Sequence, residues 1–266
     1  MTTASLTVDP YADAAPASPL RFLYRLNPLA KLLAPAPAML VLIFVRDAAT
    51  PLAFVVLAYA IVLVGARMTA RTAIMLLVVL PAMALVLGAG LALWTDPGPV
   101  SGSTPLAHVG DWTLYSGAVA VGLSTGLRLA AIIALALPAG LTTTGPDLAR
   151  SLVQQLRVPY RVGYTAIAAF RFVPRFRREL EIIRQAHRVR AGHRSFLGFG
   201  YIVPLLAGAI RHAERVALAM DARAFGAYPT RTERHLVPFR ARDVVFSALV
   251  LAASAALLWF FFPWGL

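Results

Sequence analysis

Residues 139–148 read Ala139-Gly140-Leu141-Thr142-Thr143-Thr144-Gly145-Pro146-Asp147-Leu148, and the texture of the chain changes across them. Before them lies Leu114–Leu141, about 28 residues with one charge, Arg128, enough to cross a bilayer with tilt. After them, from Thr142 to Arg242, 18 arginines stand against six acidic residues. Threonine, glycine, proline and aspartate between the two textures are turn and helix-start residues. The stretch is therefore predicted to join a membrane-embedded part to a basic, helical one. The whole chain agrees: 59% of its residues are hydrophobic, yet its formal net charge is +13, so the charge must be segregated.

Toward the N-terminus, residues 1–20 are rich in Ala, Pro, Ser and Asp, with no basic residue before Arg21. They lack the basic start and apolar core of a signal peptide and are expected to form a disordered cytoplasmic tail. Four membrane spans are expected in residues 21–141. The first covers about Leu32–Val45, the second about Leu52–Ala66, and the third Thr72–Trp94 with a kink at Pro81. The fourth is the 114–141 run. A Gly/Pro/Ser/Asp-rich loop at 95–112, free of Lys and Arg, separates the last two, flanked by Trp94 and Trp112 as interface anchors. Within the fourth span Gly122-Leu123-Ser124-Thr125-Gly126 offers a small face for close helix packing. Arg128 lies near mid-depth, where an arginine is costly and takes either a structural or functional role or a snorkelling one.

Toward the C-terminus, Leu148, Leu152 and Leu156 recur at helical spacing before Pro159. A second run, Val162–Phe172, meets Pro174. Beyond it Phe176, Leu180 and Ile183 mark the apolar face of an amphipathic helix whose other face is charged. Phe196–Ile210 is apolar but too short to span, and is expected to be re-entrant or buried beneath the membrane face. The last span is expected at about Val244–Phe262. Basic residues concentrate on one side if the N-terminus is inside, with only Arg46 outside. The expectation is an all-α polytopic membrane protein with about five spans, a cytoplasmic helical domain over 142–242 and a last span in 243–266. Its N-terminus would be cytoplasmic and its C-terminus external.

Two phrases in the basic part nearly repeat. Ala186-His187-Arg188-Val189-Arg190-Ala191-Gly192 and Ala219-Met220-Asp221-Ala222-Arg223-Ala224-Phe225-Gly226 each close a helical stretch and end in glycine, a helix-stop signal. Each presents one arginine, Arg190 or Arg223, at a helix end. Such an arginine either complements the helix dipole and faces water or anionic lipid, or it clamps a carboxylate. Two similar knobs suit a partner with two similar sockets, such as a homodimer or a pair of related subunits.

The residue inventory excludes much chemistry. Lys31 is the only lysine and sits in Asn27-Pro28-Leu29-Ala30-Lys31-Leu32, not in a phosphate-binding glycine loop. No cysteine is present, so thiolate metal sites and cysteine nucleophiles are out. The five histidines show no metal-ligand spacing and read as surface or loop residues. No GxSxG or HExxH occurs, and no acidic residue falls within a predicted span to relay protons. No catalytic residue, metal or cofactor is expected. The basic stretch of a membrane protein points to anionic lipid or an acidic protein rather than nucleic acid.

Taken together, the phrases 27–32, Leu141-Thr142-Thr143-Thr144 before Pro146-Asp147-Leu148-Ala149, Phe170-Arg171-Phe172-Val173-Pro174 with Glu179, Gln185-Ala186…Arg190, and Ala219…Gly226 with Arg231-Thr232 resemble, in this order, the transmembrane T component of energy-coupling factor transporters. The resemblance implies a subunit that joins a substrate-binding membrane S component to two ABC-type ATPases. It also implies that two Ala-Arg-Gly motifs end coupling helices that dock into the ATPases. Arg190 with Ala186 and Ala191 matches the first motif, and Arg223 with Ala222, Ala224 and Gly226 the second. The departures are Val189 and Ala191 in the first and Ala224 in place of glycine in the second. Arg128, Pro174 and Glu179 stand as structural or interface candidates. ATP hydrolysis and substrate choice would lie in the partners, with a vitamin or transition metal as cargo. A membrane enzyme acting on lipid head groups and a conventional ABC permease subunit remain as alternatives.

Overall fold

The computed structural model describes residues 21–95, 102–109, 112–191, 198–230, 232–233 and 235–261; the side chains at 107–109, 112, 190–191 and 198–199 are outside that description. The predicted disordered tail, Gly192, His193, Arg231 and Arg234 lie outside the described residues. Helix accounts for 79% of the structure. The chain divides into two compact units, one running to Thr143 and resuming at Pro238, the other spanning Thr144–Val237.

The first unit is apolar. A 3-10 turn, Phe22–Arg25, leads into α1 (Pro28–Leu33) and α2 (Ala36–Phe44), which Pro35 separates. Then come α3 (Ala49–Gly65), α4 (Ala70–Trp94), α5 (Ser116–Thr142) and α9 (Ala241–Phe261). Three of these, α4, α5 and α9, are long and apolar enough to cross a membrane; Pro28–Phe44 and α3 are shorter apolar helices. Leu42, Phe54, Val62, Leu80, Ala131 and Leu135 pack in a common core. Large apolar side chains such as Leu77, Val86, Leu249 and Trp259 point outward and are mostly exposed. That surface suits hydrocarbon, and it makes this a multi-pass membrane protein.

The tightest packing in this unit is between α4 and α5. Gly122 and Gly126 of α5 lie against Ala84, Gly88 and Ala92 of α4 so closely that a Cβ on either glycine would run into the backbone opposite. Small residues on both helices let the backbones approach, which is the packing reading of the GxxxG face. The kink expected at Pro81 takes a specific form. Residues Met75–Val79 are a π-helical turn, and the Leu80 N–H bonds to the Met75 carbonyl. The Leu76 carbonyl thereby loses its usual donor, and the next candidate, Pro81, has no N–H. The Tyr59 hydroxyl of α3 donates to it instead.

Two expectations need correction here. The loop before α5 contains a two-stranded antiparallel hairpin, β1 (Pro105–Val109) with β2 (Trp112–Tyr115), so the fold is not purely α, and α5 starts at Ser116 rather than Leu114. The alternation of apolar and polar residues in 105–115 was the signal. Second, α9 begins at Ala241, which puts a buried carboxylate, Asp243, in its first turn. Asp243 accepts from the backbone N–H of Asn27 at 2.7 Å and of Arg240 at 2.7 Å, so its charge has donors on both oxygens. Lys31, to which the sequence reading gave no structural role, is 2% exposed, its ammonium donating to the Leu23 carbonyl and to both oxygens of Thr142.

The second unit, Thr144–Val237, opens on a capped helix. Thr144 caps α6 (Gly145–Gln155): its hydroxyl accepts from the Asp147 N–H and donates to the Asp147 carboxylate at 2.6 Å. Pro146 fits the first turn, where its missing N–H costs nothing. Next is α7 (Tyr160–Ala191), a single helix of 32 residues that passes through Pro174. The sequence suggested two helices meeting there. Proline is tolerated because neighbouring packing holds the turn: Phe172 lies 6.2 Å from Phe176 and 4.6 Å, edge-on, from His212. After a 3-10 turn at Gly198–Tyr201 comes α8 (Ile202–Asp221), with a polar second half. It is not apolar enough to count as a span.

Candidate functional site

The end of α8 is built by backbone hydrogen bonds. The Phe225 N–H reaches the Met220 carbonyl at 3.0 Å and the Ala224 N–H reaches the Asp221 carbonyl at 2.9 Å. This pair of bonds defines a Schellman cap with Arg223 as the C-cap and Ala224 as the left-handed residue. Ala224 has φ +52° and Gly226 φ +89°. The helix therefore stops at Ala224 rather than at the glycine that the sequence pattern suggested, and Gly226 supplies a second left-handed residue.

Side chains from the start of α7 hold this turn. Tyr160 stacks edge-on against Phe225 with centroids 5.9 Å apart, and its hydroxyl donates to the Tyr228 carbonyl at 2.5 Å. Arg161 donates to the Gly226 carbonyl. A Cβ on Gly226 would lie 3.0 Å from Arg161 Nε, so glycine is needed both for φ and for space. The irregular segment that follows is fastened to α6: Gln154 accepts from the Val237 N–H and donates to the His235 carbonyl, and Gln155 donates to the Val237 carbonyl. Arg223 is exposed on this fixed turn.

Beside Arg223 opens a cavity of about 560 Å³. Tyr160, Tyr164 and Arg171 reach it from α7, at spacings that put them on one helix face. Arg150 reaches it from α6, and Arg223 and Phe225 from the turn. No acidic residue among the described ones lines it. Arg150 is neutralised by Asp147 at 2.6 Å, whereas Arg171 and Arg223 have no ion pair among the described residues.

The other predicted residues fall elsewhere. Arg190 and Ala191 occupy the last turn of α7, and Ala186 is exposed one turn earlier; Arg190's side chain lies outside the described residues. Glu179 lies over Gly208, where α7 and α8 cross, and a Cβ at that glycine would collide with its carboxylate. Arg128 is half-buried in α5, and its Nε is buried without a partner among the described residues. Two of the histidines, both on helices and half-buried, depart from a surface-or-loop reading: His187 stacks edge-on against Tyr201 at 4.9 Å, and His212 against Phe172, whereas His235 is exposed in an irregular segment. Burial lowers the His212 pKa, Arg175 and Arg215 lower it further, and Glu179 offsets part of this. Among the described residues no three His, Cys, Asp or Glu side chains group as metal ligands. Sequence reading missed the tyrosines and Arg150 of the cavity, which meet only through folding; Arg171 stood in a quoted phrase without a role.

The cobalt transport protein family CbiQ matches residues 20–234. This chain belongs to that family. Relatives bear out the T-component resemblance. The chain is 25% identical over 260 residues to the energy-coupling factor transporter transmembrane protein EcfT of Acidaminococcus fermentans, covering 92% of this chain and 93% of that one. EcfT of Bacillus subtilis is 26% identical over 178 residues, 60% of this chain and 65% of its own length. A Bifidobacterium longum protein named as an ABC transporter ATP-binding protein is 31% identical over 171 residues, 58% of this chain but 22% of its own length. The matched stretches thus span only part of the last two relatives.

Proposed function

We propose that this CbiQ-family chain is the transmembrane coupling subunit of an energy-coupling factor importer, carrying no catalytic residue of its own. In this reading α8 ends in Arg223 and α7 in Arg190, and the two arginines engage a pair of ABC-type ATPase subunits. ATP-driven closure of that pair moves the two helix ends relative to each other. The movement passes to a membrane S component that binds a vitamin or transition metal and releases it inside the cell. Pro28–Phe44 and α3, at 17 residues for the latter, are then crossing helices at the short end of the usual range, giving five spans. The N-terminus and the basic Thr144–Val237 unit are cytoplasmic and the C-terminus external, as the arginine distribution favours.

The observation that carries this reading is the Schellman-capped end of α8, which holds an exposed Arg223, without an ion pair among the described residues, on a turn fastened at three points. Side-chain entropy is the usual cost of docking a long cation, and a rigid base lowers it. Support for the partner class comes from the Bifidobacterium relative, in which a stretch like this chain belongs to a larger protein with an ATP-binding name. The test is co-purification with the ATPase pair and substrate uptake for wild type, Arg190→Glu and Arg223→Glu. Loss of ATPase and uptake in the variants supports the reading. Retention of both by both variants overturns it.

A further inference from the structure

Two arginines without an ion pair among the described residues, Arg171 of α7 and Arg223 at the end of α8, open on one cavity. From this we infer that the docking end of α8 is a socket as well as a knob: the cavity takes an acidic segment of the ATPase, and Arg171 is its second clamp. The inference rests on the coupling reading above and adds a residue and a ligand chemistry to it.

The charge pattern comes first. Among the described residues, three arginines line the cavity and no carboxylate does. Asp147 compensates Arg150, which leaves two positive charges facing a shared space. Like charges held near each other repel, so an arrangement of this kind gains from an anion that enters between them. Guanidinium forks match a carboxylate in geometry as well as charge. The walls are Tyr160, Tyr164 and Phe225, aromatic surfaces of the sort enriched where a partner side chain is anchored. At about 560 Å³ the space holds several side chains, so it fits a short stretch of polypeptide better than one carboxylate.

Position gives the occupant. Arg223 belongs to the cavity wall, so a partner that reaches Arg223 also covers the cavity mouth. A partner carboxylate drawn to Arg223 therefore comes under the influence of Arg171 as well. The walls are preorganised for it, because Tyr160 and Arg161 already fix the turn from below.

The chain has no cysteine, so one introduced residue gives a unique attachment point. Ala168 lines the cavity on the same helix face as Tyr164 and Arg171. An Ala168→Cys variant carrying a benzophenone maleimide, irradiated in the assembled complex, is expected to cross-link to an ATPase stretch that contains Asp or Glu. In parallel, the affinity of the ATPase pair is measured for Arg171→Glu and Arg171→Gln, with the exposed Arg67→Glu as the control for net charge. Both Arg171 variants are expected to bind at least about tenfold more weakly, and the control to bind as wild type. Helicity and thermal melting of the purified variants separate lost docking from lost fold. If Arg223→Glu weakens binding while both Arg171 variants bind as wild type, the socket is wrong and the coupling reading stands. If neither arginine matters, the socket falls, and the coupling reading falls with it when Arg190→Glu also binds as wild type. Cross-linking to phospholipid alone, or to nothing in a complex that is intact, also overturns the socket.

Discussion

The Lys31 ammonium lies 3.0 Å from the carbonyl oxygen and 3.0 Å from the hydroxyl of Thr142, 111 residues further along the chain. The Thr142 hydroxyl in turn donates a hydrogen bond to the Pro138 carbonyl at 2.5 Å. One buried cation thus closes the end of α5 against the turn that carries Leu23. Replacing Lys31 with Met keeps much of the volume but leaves the carbonyls of Leu23 and Thr142 without this donor. Thermal unfolding in detergent is expected to show a loss of about 2–4 kcal/mol. Lys31→Arg is expected to fail as well, because a planar fork cannot aim at three acceptors grouped around one point.

The facing small residues of α4 and α5 allow a sharp comparison among glycines. Ala at Gly126 meets the Ala84 carbonyl and Ala at Gly122 meets the Gly88 carbonyl, whereas Ala at Gly90 meets nothing within 4 Å. The first two substitutions are expected to cost about 1–3 kcal/mol each, since backbone cannot move aside cheaply. Gly90→Ala should fall within about 0.5 kcal/mol of wild type. Melting curves of the three variants in one detergent decide the point.

At the end of α8, Ala224 holds a left-handed conformation that its Cβ disfavours. Ala224→Gly is expected to raise stability by about 0.5–1 kcal/mol without weakening the cap, whose hydrogen bonds are all backbone. Gly226→Ala should do the opposite, because it strains φ and crowds Arg161. Chemical denaturation reads both changes, and ATPase binding should follow Gly226→Ala downward because Arg223 loses its fixed base.

His212 makes the crossing of α7 and α8 sensitive to acid. Its pKa in the fold is below the ordinary value of 6.5 because of burial first, then Arg175 and Arg215. The unfolded chain therefore takes up the proton before the folded one does. Stability from this group is complete above about pH 6.5 and falls as the pH drops toward the lowered value. A pH series of melting temperatures should show that slope, and His212→Gln should flatten it.

Local signals were legible in the sequence and long-range ones were not. Thr144-Gly145-Pro146-Asp147 announced a capped helix because all its interactions lie within four residues. The Gly122/Gly126 face was legible as a packing surface, but its match in Ala84, Gly88 and Ala92 needed the fold. Pro174 looked like a break because its neighbours Phe176 and His212, which hold the helix together there, include one on another helix. Lys31 read only as a reason to exclude nucleotide binding. Its role comes from Thr142 and its burial beneath the Leu23 turn, which no pattern near position 31 encodes. For the candidate site, the presence of a helix end near Arg223 was legible; the cavity was not, since Arg150, Tyr164 and Arg171 converge from two helices.

The passage of α7 through Pro174 has a mechanical side. At about 1.5 Å per residue, 32 residues make a strut of about 48 Å, long enough that a slight tilt at one end becomes a large displacement at the other. Proline donates no backbone hydrogen bond to the turn before it, so the ladder has a missing rung between positions 170 and 174. A beam yields where its section is thinnest. Flexure of α7 is therefore concentrated at one joint, and the rings of Phe172, Phe176 and His212 brace that joint like a splint.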